Sequence, residues 1–195
     1  MSYKKIIILP ALFILSTIAY IGCCKCDNVF DFYEYESFRV NAVGTDGVII
    51  DSGTVTHTDT LYLQYTPQIN CVATAKNPLS FLGNETYACK CQECGRSGLK
   101  HKILSIKISA DSIYNAIPAG SPLNNLFKAK IFSGGMSIGL DSLQTYLNTQ
   151  PAIYAPVIVH TDIKPGNNKG HKIKMEISFA GGKLISVSSK RFFWM

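Results

Sequence analysis

Beyond its first two dozen residues the chain has almost no helical patterning. Only residues 141–148 carry apolar side chains at helical spacing, and no alternation of strand and helix leads up to them. A parallel sheet needs a crossover, usually a helix, between each pair of strands, so this absence excludes a doubly wound α/β architecture. Histidine is sparse as well. His57, His101, His160 and His171 make no H-x-x-x-H or H-E-x-x-H spacing, and each reads as a surface residue in or beside a strand. No two carboxylates can be placed from sequence at the separation glycoside hydrolysis requires. There is no internal repeat, no low-complexity segment and no second domain boundary. Basic residues are not interleaved with clustered aromatics, which argues against a nucleic-acid partner.

What the chain does have begins at its start. Lys4-Lys5 precede an apolar run from Ile6 to Gly22, and Cys23-Cys24-Lys25-Cys26 follow. Two lysines ahead of a run of this length form the n-region and h-region of a secretory signal. The run is slightly short for a spanning helix, which needs about 20 residues. An uncleaved anchor and a plainly cleaved signal are the alternatives. Ile21-Gly22-Cys23 resembles the lipobox of bacterial lipoproteins, with Tyr20 where leucine is usual, as in the looser Bacteroidetes-type versions. The resemblance implies that residues 1–22 are a signal peptide, that Cys23 is lipidated, and that the mature chain is held on a membrane by acyl chains. Each buried methylene contributes about 0.8 kcal/mol, and two or more chains hold stably where one does not.

Removing residues 1–22 from 195 leaves 173, a length suited to one domain with a proper core. The expected layout is a short cysteine-containing tether over 23–29 and a single domain over 30–195. With Cys23 assigned to lipid, six of the seven cysteines remain: Cys24, Cys26, Cys71, Cys89, Cys91 and Cys94. An even remainder in an exported chain suggests disulfides. Cysteines one residue apart rarely bridge without strain. Cys24 and Cys26 are therefore expected to reach into the later four, with the two left over paired to each other. The competing reading is a metal site. Cys89, Cys91 and Cys94 have a C-x-C-x-x-C spacing, and Cys71 completes a set of four thiolates suited to zinc or copper(I). Cys91-x-x-Cys94 also has redox spacing, without the βαβ surroundings that motif needs.

Charge is unevenly spread. Asp27 to Thr60 holds seven acids against Arg39 alone, and Lys164 to Arg191 holds seven Lys and Arg against Glu176 alone. The two ends are expected to face each other across neighbouring strands or to form solvated faces. The functional alternative is a basic patch in the last third that meets lipid phosphates or acidic glycans.

Short alternating segments fill the body. Phe38, Val40 and Ala42 alternate with Arg39 and Asn41, and the aromatics before them change phase, which predicts a bulge near Glu34–Glu36. Leu61, Leu63 and Tyr65 share a face, with Pro67 closing that strand and a separate short strand over Ile69 to Thr74. Residues 77–98 read as an irregular, cysteine-rich insertion. In the next strand Leu104, Ile106 and Ile108 point inward. Residues 127–132 and 157–161 read as strands. Asp141 and Gln144 have the spacing of a capping box at the start of the helix. Ile173, Met175, Ile177 and Phe179 alternate into Gly181-Gly182, which turns the chain into a terminal hairpin. Phe192-Phe193-Trp194-Met195 either packs on the core or presents a contact surface. Many short strands with turn signals and one helix predict an all-β fold, an antiparallel β-sandwich of the immunoglobulin-like kind.

Gly135-Met136-Ser137-Ile138-Gly139 spells G-x-S-x-G, and Asp162 and His171 follow in acid-then-histidine order. That elbow belongs to a parallel α/β sheet, which the chain lacks, so a glycine-rich connection explains the same letters. Asp59-Thr60-Leu61, Asp111-Ser112-Ile113 and Asp141-Ser142-Leu143 resemble the O-glycosylation triplet of exported Bacteroidetes proteins. Asn84-Glu85-Thr86 is an N-glycosylation sequon. The layout as a whole is similar to that of small Bacteroidetes-type lipoproteins of uncharacterised families. The likeness implies no activity; the expected function is that of a lipid-anchored cell-envelope protein, a non-catalytic binding or interaction module for an unknown protein or glycan, with no cofactor.

Overall fold

The computed structural model describes residues 32–44, 48–53, 55–56, 59–72, 94–131, 136–150 and 156–195. The leader, Cys23, Cys24, Cys26, Cys89, Cys91 and the Asn84 sequon lie outside them. The strands are β1 (Phe32–Val43), β2 (Val55–Thr56), β3 (Leu61–Val72), β4 (Ile103–Ala110), β5 (Lys128–Lys130), β6 (Val157–Thr161), β7 (Ile173–Phe179), β8 (Leu184–Ser188) and β9 (Phe193–Trp194). One helix, α1 (Leu140–Thr149), lies between β5 and β6.

Two antiparallel sheets carry the fold. The first has the order β1-β3-β6-β5 and the second β4-β7-β8. With the two-residue strands β2 and β9 set aside, the first, second, fifth and fourth strands form one sheet, and the third, sixth and seventh form the other. That is the strand order of a constant-type immunoglobulin domain. The chain is an antiparallel β-sandwich with this topology. It does not use the disulfide between the second and sixth strands of antibody domains: Leu61 and Leu63 of β3 and Met175 and Ile177 of β7 are instead buried in one hydrophobic core.

The period-two patterns explain which residues face the core. Leu61, Leu63 and Tyr65 of β3 are fully buried, and so are alternate residues of β7 from Ile173 to Phe179. Burying one such side chain contributes about 1.5–3 kcal/mol. In β1 the register shifts between Tyr35 and Ser37, so a bulge at Glu36 lets Tyr33, Tyr35 and Phe38 all point inward. Gly181 and Gly182 take φ of +93° and +84° in the β7–β8 turn, which a side chain would strain. At the end, Phe192 and Trp194 are buried in the core, and β9 pairs in parallel with β2.

Three local expectations change. Pro67 does not end a strand: β3 runs on through Val72, paired with β1. Its pairing with β6 stops at Tyr65, so among the described residues no partner on that side asks for the amide Pro67 lacks. Leu104 points outward and is 60% exposed, while Ile103 is buried. A register shift between Ile103 and Ser105 inverts the phase there. The helix N-cap is Gly139, without a side-chain bond, so Asp141 and Gln144 form no capping box.

Gln144 is used elsewhere. Among the described residues no strand lies beside the edge of β4 away from β7, and side-chain amides occupy it. Asn148 bonds both the amide and the carbonyl of Ile103, at 2.8 and 2.9 Å. Gln144 donates to the Leu104 carbonyl at 2.9 Å. Asn124 accepts from the Ile108 amide at 2.9 Å and donates to the Ile106 carbonyl at 2.7 Å. Filling an edge in this way removes a template for pairing with another chain.

Candidate functional site

Cys71, at the end of β3, is bridged to Cys94 with the Cα atoms 5.5 Å apart. The bridge takes up two of the four sulfurs of the expected thiolate site, so Cys71 and Cys94 are not free to join Cys89 and Cys91 around a metal. Among the described residues no group of three or more His, Cys, Asp or Glu converges as a metal site would require. Cys24, Cys26, Cys89 and Cys91 are the candidates left for further bridges.

The residues of the G-x-S-x-G order do not assemble as the sequence suggests. Ser137 lies in the exposed connection before α1, and its Oγ is 2.9 Å from Nε2 of His160, not of His171. His160 is on β6, in the first sheet. His171 precedes β7, in the second, and its Nδ1 meets Ser112 Oγ at 2.8 Å. Contrary to the surface reading, His171 is fully buried. Its backbone pairs with that of Phe192, and the ring packs edge-on against Tyr114. His101 is half exposed, 3.7 Å from Glu34. Of the three Asp-Ser/Thr-apolar triplets, two have their apolar residue, Leu61 or Leu143, in the core; only Ile113 is exposed.

Burial, with the lysines at 130 and 128, holds the His160 imidazole below the usual histidine range, and Asp162 opposes this only through its charge. A general base must gain a proton in the reaction, and neighbouring cations resist that. No carboxylate orients the ring as in a catalytic triad among the described residues. The pair is built for holding a hydroxyl next to a neutral ring.

Around that pair the outward face of the first sheet forms a continuous surface. Val43, Tyr62, His160 and Lys128 lie side by side across β1, β3, β6 and β5, and Asn41, Gln64, Ile158 and Lys130 form the next row. Arg39 stands beside Thr66 one row further. The Tyr62 and His160 rings are 5.6 Å apart, and Lys130 Nζ sits 5.4 Å from the centre of the Tyr62 ring. A cation placed over an aromatic face is positioned without its charge being cancelled. These rows contain no carboxylate. Glu34, further along β1, is occupied by Lys100 at 2.7 Å. The outward face of the second sheet differs: Glu176 lies between Lys107 and Lys174, bonded to Lys174 at 2.7 Å, among Ser105, Ser178 and Ser186.

The basic last third, the alternative patch, is largely occupied within the chain. Lys190 pairs with Asp51 and Arg191 with Asp111. Lys164 and Lys183 donate to the carbonyls of Met195 and Tyr35. On the outward face of the first sheet, Lys128 and Lys130 make no ion pair with a carboxylate among the described residues. The signal for them was present: a Lys-Ala-Lys strand places both lysines on one face, with Ala129 buried behind them.

No family model matches the chain, and no curated protein matches it. Among solved structures, the C-terminal domain of the Streptococcus agalactiae AgI/II polypeptide BspA is similar at 13% identity over 80% of this chain and 49% of that one, with a TM-score of 0.28. The chain thus spans about half the length of that domain. An overlap so loose carries no weight, and the class of fold rests on the chain's own strand order.

Proposed function

We propose that this protein is a lipid-anchored, extracytoplasmic binding module without catalytic activity, held at the cell envelope through Cys23, and that the outward face of its first sheet is the surface it presents. The observation that carries the reading is the difference between the two outer faces: one sets Glu176 between Lys107 and Lys174, and the other lines up Arg39, Lys128, Lys130 and the Tyr62 ring in rows that hold no carboxylate. The Cys71–Cys94 bridge supports export, because such bridges persist in oxidising compartments. The leader and Cys23 support the anchor. Two measurements test this. Metabolic labelling with an alkyne fatty acid should tag the wild-type chain and not Cys23→Ala; equal absence of label removes the anchor. A fluorophosphonate probe should leave Ser137 unmodified; labelling that a Ser137→Ala variant loses would replace the binding reading with a hydrolase.

A further inference from the structure

We infer that the outward face of the β1-β3-β6-β5 sheet binds an acidic polysaccharide, with Arg39, Lys128 and Lys130 taking its carboxylate or sulfate groups. The inference rests on the binding reading above and supplies its ligand class. Three features of the face lead to it.

The first is how the cations are spaced. Lys128 and Lys130 are two apart on one strand, roughly 7 Å, and Arg39 stands three strands away, roughly 15 Å across the sheet. A single small anion is gathered by cations that converge; cations spread over a flat sheet suit a ligand that repeats its charge. The second is what lies between them. Asn41, Gln64, Thr66 and Ser137 offer amides and hydroxyls to a polar, hydroxylated chain. Tyr62 adds one half-exposed ring. The third is position. β1 runs from Phe32, next to the proposed tether, toward Val43, and the Tyr62 row is eleven residues along it, roughly 37 Å. Lys128 and Lys130 are thus in the rows of the sheet farthest from Phe32, the strand end that follows the proposed tether in the chain, and Arg39 is seven residues along β1, roughly 24 Å.

The test uses the whole chain purified in detergent. Binding is measured to heparin and polygalacturonate as sulfated and carboxylated polymers, to dextran as a neutral one, and to phosphatidylcholine vesicles containing phosphatidylglycerol. At least one acidic polymer should bind in low salt and weaken as salt rises, and dextran should not bind. The Lys128→Ala/Lys130→Ala pair should lose at least tenfold in affinity. Lys107→Ala/Lys174→Ala, on the opposite sheet, should lose less than twofold. Binding to neither acidic polymer overturns the inference, as does equal loss in both double variants. Binding to vesicles alone, dependent on Lys128 and Lys130, assigns the face to a lipid surface and also overturns it. Fatty-acid and fluorophosphonate labelling of the same samples report on the anchor and on Ser137 independently, so failure of the ligand class is distinguishable from failure of the binding-module reading. A melting curve matching wild type shows that the surface variants are folded.

Discussion

Replacing Asn124 with alanine leaves the Ile108 amide and the Ile106 carbonyl on the open edge of β4 without their partners. The amide is held in place by its own segment: the Leu123 amide donates to the Ile108 carbonyl at 2.7 Å, and a 3-10 turn over Asn124–Leu126 follows. Alanine keeps that turn and removes only the two side-chain bonds. A typical intramolecular hydrogen bond contributes about 0.5–1.5 kcal/mol net, so two part-buried bonds amount to about 2 kcal/mol. For a domain of this size that lowers the melting temperature by about 4–8 °C. Asn124→Asp separates the two halves of the effect. A carboxylate still accepts from Ile108 but faces the Ile106 carbonyl with no proton to donate. It should destabilise at neutral pH at least as much as alanine and recover as acid protonates it. Equilibrium urea unfolding measures both, and hydrogen exchange of the Ile108 amide localises the change. If both variants unfold within about 0.5 kcal/mol of wild type and Ile108 keeps its protection, side-chain amides are not what closes this edge.

Three other outcomes follow from the same structure. Burial holds the His171 pKa down, Asp111 opposes that and Arg191 adds to it; because the folded pKa lies below the unfolded one, stability should fall as pH drops below about 6.5, by at most about 1.4 kcal/mol per pH unit. Urea midpoints between pH 7.5 and 5 should show this fall reduced in His171→Gln, with the share of His160, which is depressed in the same sense, remaining; lowered pKa values at Glu34 and Glu176 act only below the ordinary carboxylate range. Ile103→Ala should cost about 2–5 kcal/mol, whereas Leu104→Lys should stay within about 0.5 kcal/mol; the reverse order in urea unfolding would mean the register shift is misplaced. Removing the Cys71–Cys94 bridge as paired serines, which opens a loop of sequence separation 23, should lower the urea-derived stability by about 3 kcal/mol in the chain-entropy account.

The legible part of the fold was the part written in local alternation. β7 could be read residue by residue, because its apolar period of two continues without interruption and a glycine pair ends it. The phase change in β1 pointed to its bulge for the same reason. Leu104 was misread because a one-residue shift between Ile103 and Ser105 leaves no mark in composition. Pro67 was misread as a stop because whether a missing amide matters depends on how far the neighbouring strand extends. Gln144, taken for a helix cap, reaches instead to a strand forty residues earlier.

The candidate site was legible only in fragments. Ser137 stood out through its glycines, but the histidine it meets is set by which sheet each strand joins. The connection between β6 and β7 crosses from one sheet to the other, so His160 reaches Ser137 while His171 is buried against Tyr114. Charge behaved the same way. Basic residues are most numerous in the last third, but five of the seven there are held by ion pairs or carbonyls, whereas Lys128 and Lys130 stand on a sheet face in rows without a carboxylate.

From the order of residues alone came the strands, their inward faces, the terminal hairpin and the single helix, because alternation and turn chemistry act over a few neighbours. Only the assembled sandwich decided the strand order, the covered β4 edge, the burial of His171 and the cationic face. Each of these depends on contacts between segments far apart in the chain, and a local pattern carries no information about which distant segment will lie beside it.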